Sequence, residues 1–395
     1  MAAEAYDVIV IGGGLLGASV GAALAEARKT VLVLEARAKG HSEGSSHGHS
    51  RIVRTLGSET PVFAETARYG LEAMRALEAS PGAIVRQTPA VFIANRNSKA
   101  YRDLAREDSS ATHRPDVLTP MEVAKYGLKI KDDQVGILDP DSGVLDPTAL
   151  LEVLYGIITR NGQTVVFEAP AVVWEISAAG VSVRMQNGET FRGGQLVIAA
   201  GGWLPEVLSR GNVNAEVIRR LGGMRLERIP LFYFDYPRAM EDVIPVTVSD
   251  TGDPDMYAMP EYRGQPVREV ATRSEDVRYL KVGFHKGTQV IRPADVCRAV
   301  QHLEELYAKN YMEGLLGRRL TLRETSVCLY AMAPDSELPL IGPLPGTPDV
   351  HLAAYGGGIC AKHAIALGNA LSCTLQGRES PWDLTAFDPN RLMTK

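Results

Sequence analysis

The sequence predicts an α/β chain of two domains, one of them a Rossmann-like dinucleotide-binding unit. Three observations carry this. A β-branched run, Asp7 to Ile11, ends in Gly12-x-Gly14-x-x-Gly17, passes into an Ala/Leu-rich helical pattern from Leu15 to Ala27, and is followed by a second strand, Thr30 to Leu34. The chain has 395 residues, 45% of them hydrophobic, which is too long for one ordinary domain and enough to bury two cores. Strand-like sequence rich in Pro, Tyr and Arg fills roughly residues 222 to 292, after which the chain ends on a strand, a glycine turn and a helix, so the nucleotide unit is discontinuous.

The opening βαβ unit has its own chemistry. Its glycines let backbone amides approach a pyrophosphate, whose charge a helix N-terminus favours, and Glu35 ends the second strand at the separation needed to reach a ribose hydroxyl. The motif alone does not separate FAD from NAD.

Further along, Phe63, Ala67, Leu71, Met74 and Leu77 recur at helical spacing after Pro61. The pattern weakens from about 86 to 145, where Asn95 to Pro115 reads as a surface connection or a change of lobe. Asp146-Pro147 is an N-cap followed by proline at N1, opening a helix to Arg160 that stops near Gly162. Val165 to Glu168, Val172 to Ile176 and Val181 to Met185, with a turn at Asn187-Gly188, read as an antiparallel meander feeding the strand Leu196 to Ala200. One helix is expected from Pro293 to about Met312. The resulting division gives 1–85, 146–221 and 320–395 to the nucleotide domain, and 86–145 and 222–319 to the second domain.

Composition removes several function classes. A net charge of −5, from 42 basic and 47 acidic side chains, offers no general attraction for nucleic acid or anionic lipid. Cys297, Cys328, Cys360 and Cys373 form no CxxC pair or zinc-ligand spacing, which fits a reducing compartment and no structural metal. Val8 to Ala25 is uncharged, yet Gly12, Gly13 and Gly14 would break a spanning helix, and the Met-Ala-Ala-Glu-Ala start lacks a basic n-region. A cytoplasmic protein that does not bind membranes, a monomer or weak oligomer, is expected.

The stretch Gly44-Ser-Ser-His-Gly-His-Ser-Arg-Ile-Val-Arg54 closely resembles the signature of the monomeric sarcosine oxidase and N-methyltryptophan oxidase family. Leu280-Lys-Val-Gly-Phe-His285, Val327-Cys-Leu-Tyr-Ala331 with Pro334-Asp335, and Ala353-Ala-Tyr-Gly-Gly-Gly-Ile-Cys-Ala-Lys362 match in the same order, so the resemblance spans nearly the whole chain. Val197-Ile-Ala-Ala-Gly-Gly202 is similar to a strand and glycine turn of the wider group of amine-oxidising flavoproteins.

The resemblance decides for FAD and implies a substrate domain whose antiparallel sheet covers the flavin. It places Gly12, Gly14, Gly17, Glu35, Ser46, Gly201, Gly357 and Gly358 at the cofactor, with Cys328 as its covalent attachment point. Arg51, His47 and His285 match groups beside the flavin or in the pocket, and Lys281 matches a lysine that promotes reaction with oxygen. Arg54 and Lys362 match a pair that holds the substrate carboxylate, where Lys362 also approaches the cofactor, and Tyr257 and Tyr330 match pocket tyrosines. His49 reads as a hydrogen-bonding residue of its own loop. Gly356 and Ile359 depart from the family, which has Phe and His there, so one pocket wall differs. Arg263, Arg268, Arg273 and Arg278 form either a solvated basic face or a second anion site suited to iminodiacetate. The implied activity is oxidation of the C–N bond of a small secondary amino acid, with O2 reduced to hydrogen peroxide. A dehydrogenase using another acceptor and a silent flavin-binding protein are the rivals.

Overall fold

The computed structural model describes residues 5–56, 60–79, 83–105, 115–235, 244–262 and 278–393, without the side chains of residues 262 and 278. Arg263, Arg268 and Arg273 lie outside the described residues, as does the Arg278 side chain.

The apolar run Ala5–Ile11 pairs in parallel with Val31–Leu34 on one side and Thr190–Ile198 on the other. Its side chains alternate between two cores, as the period of a strand requires. Val8, Val10, Val31 and Val33 pack with helices Leu15–Glu26, Pro147–Arg160 and Ala364–Leu375. Ile9, Ile11, Leu32 and Leu34 pack in a second core with Trp174, Leu204 and Leu352. Helix Pro147–Arg160 starts as the sequence predicts, with the Asp146 carboxylate accepting from the Thr148 and Ala149 amides.

Ala171–Ser177, Gly180–Met185 and the first part of Thr190–Ile198 form the antiparallel meander. The run expected to open it does not belong there. Thr164–Val166 lies at the opposite edge of the sheet, parallel to Val31–Leu34, because alternation identifies a strand without naming its neighbour. The second half of Thr190–Ile198 pairs in parallel with Thr347–Ala354, which turns back on Leu340–Leu344. Among the described residues the sheet has eight strands, the last two joining it through Thr190–Ile198.

A second sheet of nine strands carries the other half of the molecule. Arg225–Asp235 is flanked along its length by Leu322–Met332 on one side, and by Thr288–Val290 and Arg278–Phe284 on the other. Met256–Tyr262 and Val246–Val248 follow, then Ala90–Asn95, Gln134–Asp139 and Asp116–Leu118, so the weakly patterned stretch 86–145 supplies strands of this sheet. The antiparallel expectation holds except where Val246–Val248 runs parallel to Ala90–Asn95. One face packs on helix His302–Leu316. The other carries Leu231, Tyr257, Cys328 and Tyr330 and packs on Ile52 and Val144 of a small antiparallel sheet, Arg51–Val53, Gly143–Leu145 and Val85–Gln87.

The single helix expected from Pro293 is two pieces, a turn at Pro293–Asp295 and the helix His302–Leu316. Between them Arg298 donates to the carbonyls of Glu43 (2.7 Å) and Val327 (3.2 Å), and Arg228 reaches the carbonyls of Cys297 and Ala299. Backbone groups diverted to side chains leave the segment non-helical.

The glycine fingerprint is a contact between backbones. Gly12 has φ +107°, and a Cβ on Gly17 would lie 1.9 Å from the Gly12 carbonyl oxygen, an obstacle no rotamer relieves. Gly17→Ala is expected to lower stability by roughly 1–3 kcal/mol and to yield protein with little bound nucleotide. Thermal melting and the absorbance of the purified protein measure the two effects.

Candidate active site

A cavity of about 630 Å³ follows the ends of the nucleotide-sheet strands. Gly12, Gly13 and Gly14 line it where helix Leu15–Glu26 begins, a terminus without a side-chain cap from its own N-cap residue. Ser46 supplies a partner there, its hydroxyl accepting from the Leu15 amide at 3.1 Å. Glu35 accepts from the amides of Gly13 (2.8 Å) and Arg37 (2.9 Å), so the carboxylate that faces the cavity also ties down the glycine loop. Tyr155, which no motif singles out, fixes the same loop by donating to the Gly13 carbonyl at 2.6 Å.

Farther along, the cavity meets His47, Arg51, Gly201, Tyr330, Gly357 and Gly358. Gly357 donates its amide to the Ala331 carbonyl (2.9 Å), and a Cβ on Gly358 would come within 2.4 Å of the Tyr330 ring. The glycine turn is therefore pressed against strand Leu322–Met332. Ser326 and Tyr330 line the cavity from that strand, and Cys328 stands between them on the same face. Cys328 is buried, with its Sγ 4.0 Å from an Arg51 nitrogen.

Arg51 is anchored by carbonyls. Its guanidinium donates to Ser45 and His47 at 2.8 Å and to Ser50 at 2.7 Å. Lys281, only 1% exposed, donates to the same Ser50 carbonyl at 2.8 Å, while the Ser50 hydroxyl donates to the buried carboxylate of Glu261. His47 lies beside these cations. Burial, and then the charges of Arg51 and Lys281, push its pKa down to about 3, and its buried Nε2 has no hydrogen-bond partner. His49 turns elsewhere, its Nδ1 lying 3.3 Å from the N-capping Asp146.

Arg54 and Lys362, distant in sequence, are neighbours. The Lys362 ammonium donates to the Arg54 carbonyl at 3.2 Å, and the Arg54 guanidinium lies 5.2 Å from the centre of the Phe92 ring. Burial and then the Arg54 charge lower Lys362 to about 7, opposed by Asp139. The hydroxyls of Tyr257 and Tyr330 lie 3.3 Å apart, and burial raises both, Tyr330 to about 12. His285 sits 5.2 Å from the Tyr257 ring, held down to about 3 by burial and then by Arg54. Lys281, Cys328, Arg54, Lys362, Tyr257 and His285 stand behind the residues that line the cavity, and Gly17 packs beneath Gly12. At the departing wall, Gly356 has no room for a side chain, since a Cβ would lie 2.5 Å from that of Cys360, and Ile359 packs on the helical core.

Over residues 7–373 the chain matches the FAD dependent oxidoreductase family, DAO. It belongs to that family. Among its relatives, the monomeric sarcosine oxidase of Streptomyces avermitilis is 25% identical over 98% of each chain. The N-methyl-L-tryptophan oxidase of Yersinia pestis is also 25% identical, over 97% of this chain and 98% of that one. In fold, L-proline dehydrogenase from P. horikoshii superposes with a TM-score of 0.82 at 16% identity, covering 99% of both chains.

This FAD-dependent oxidoreductase has the features its cofactor needs. The glycine loop leaves space no Cβ could share, its helix start favours an anion, Glu35 stands at the strand end, and the cavity runs on to Arg51 and the unpartnered His47 nitrogen. Sequence reasoning missed Tyr155, Ser50, Glu261 and Asp139, each of which acts through a backbone group or at long range.

Proposed function

We propose that this FAD-dependent oxidoreductase is an amino acid oxidase of the sarcosine oxidase type, acting on a small secondary amino acid such as sarcosine, another N-alkyl amino acid or iminodiacetate. In the proposed reaction, substrate, O2 and water give an aldehyde or keto acid, the shorter amine and hydrogen peroxide. The observation that carries the reading is the convergence of Arg54 and Lys362 beside the Tyr257–Tyr330 pair, one wall away from a cavity fitted to FAD. The names of the two relatives at 25% identity support the same class.

FAD, when bound, supplies the two-electron acceptor for the C–N bond. The protein supplies the rest. Arg54 and Lys362 hold the substrate carboxylate and so fix the carbon next to nitrogen over the cofactor. Neutral His285 and the un-ionised tyrosine pair offer hydrogen bonds without adding charge, which lets the amine bind with its nitrogen lone pair free. Arg51 would stabilise negative charge on the bound cofactor, with His47 beside it, and Lys281 would stabilise charge passing to oxygen. Gly12, Gly14, Gly17, Glu35, Ser46, Gly201, Gly357 and Gly358 would hold the cofactor, and Cys328 would be its covalent attachment point. Among the described residues no helix is long and apolar enough to cross a membrane, and the four cysteines are free. A cytoplasmic location and a monomeric or weakly oligomeric state belong to the same proposal.

A screen of sarcosine, pipecolate, proline, N-methyltryptophan and iminodiacetate for anaerobic bleaching of the flavin tests the substrate class, and bleaching by none of them would sink it. If Cys328 carries the cofactor, acid-precipitated protein stays yellow; colour found wholly in the supernatant removes the linkage. Arg54→Ala is expected to cost about 2–5 kcal/mol of binding for an amino acid and far less for its carboxylate-free amine, as paired steady-state kinetics will show. Lys281→Met should leave anaerobic bleaching nearly intact while the oxygen half-reaction slows by orders of magnitude in stopped flow. Reoxidation at the wild-type rate would instead favour a dehydrogenase with another acceptor.

A further inference from the structure

Behind the Arg54–Lys362 pair lies a carboxylate that no motif marks. Asp139 ends strand Gln134–Asp139 and is fully buried. Its two oxygens accept from the Thr55 amide and hydroxyl, both at 2.8 Å, and from the Leu56 amide at 3.3 Å. All three donors are neutral. Among the described residues no cationic side chain lies within ion-pair distance of Asp139, so the carboxylate is satisfied by hydrogen bonds while its charge stays uncancelled.

Resting on the carboxylate-clamp reading above, we propose that Asp139 is the positioning residue of the clamp. Its carboxylate fixes the chain immediately after Arg54 through the Thr55 amide and hydroxyl and the Leu56 amide, and sets a buried negative charge behind the two clamp cations. The electrostatics agree with the geometry. Lys362 is faced by Arg54, Asp139, Cys360 and the neighbouring His363, of which Arg54 lowers its pKa while Asp139 and Cys360 raise it. Arg54 in turn is faced by Asp139, Glu337, Tyr330, His285 and His363, with Asp139 the foremost charge in its favour. With Lys362 protonated, Arg54, Lys362 and Asp139 together carry one net positive charge, which one carboxylate neutralises.

The sign of the pH dependence follows. Lys362 titrates near about 7, so an anion binds most tightly below that pH and is lost as pH rises through it. The test titrates holoenzyme with acetate across this range, reading the visible band of the bound flavin. In Asp139→Asn the midpoint should fall by about one unit, weakening acetate on the order of tenfold at neutral pH. Thr55→Val, which removes one hydrogen bond and no charge, should weaken acetate while leaving the midpoint in place. A wild-type midpoint and affinity in Asp139→Asn overturns the proposal. If that variant gives no folded holoenzyme by melting, unchanged acetate affinity in Thr55→Val overturns it instead. Failure of the clamp reading looks different: wild-type enzyme then shows no acetate response at any pH, or Arg54→Ala binds acetate as wild type does.

Discussion

The carbonyl oxygens of one short segment, Ser45 to Arg54, hold three cations, the half-buried Arg51 and the buried Lys281 and Lys362, and the site is built around that arrangement. Arg51 donates to Ser45, His47 and Ser50, Lys281 from the nine-stranded sheet donates to Ser50, and Lys362 from the C-terminal glycine turn donates to Arg54. A cation taken from water needs oxygen partners. A carboxylate would satisfy it but cancel its field, whereas the carbonyls that receive Arg51 and Lys362 satisfy N–H bonds without adding negative charge. Glu261 is joined to this cluster through the Ser50 hydroxyl. The segment also ties the halves of the molecule together, since its bonds reach elements more than 200 residues away.

The same concentration of positive charge dictates the state of its neighbours. His47 and His285 cannot gain a proton at ordinary pH, because burial and adjacent cations both oppose it. The tyrosine pair cannot lose one, because burial penalises the phenolate. Burial and the Arg54 charge bring Lys362 down to about 7, so its charge changes near neutrality. A pocket so arranged is neutral at His47, His285 and the tyrosine pair and positive at its arginines.

Much of this was legible where the physics is local. Gly12, Gly14 and Gly17 announce a close backbone approach by their spacing, Glu35 follows at a fixed strand length, and the Asp146 cap with Pro147 marks a helix start that the structure reproduces. Legibility failed where a partner had to be named across space. Thr164–Val166 reads as a strand but not as the far edge of its sheet, and the break between Pro293 and His302 is where Arg228 claims the carbonyls of Cys297 and Ala299 while the Arg298 side chain reaches carbonyls of other segments. Ser50 contributes its carbonyl as well as its hydroxyl, and any residue type has a carbonyl. Asp139 precedes a proline in an apolar strand and has no signature until Thr55 and Leu56 are seen beside it.

The pairing of the last strands with Thr190–Ile198 has a consequence for synthesis. The cavity is lined by Ile11 and Gly12 at one end of the chain and by Ala353 through Gly358, Cys360 and Ala361 near the other. Strand Thr347–Ala354 must pair with Thr190–Ile198 before that wall exists. Until the residues after Thr347 have been made, the chamber therefore lacks that wall, so its completion comes late in synthesis.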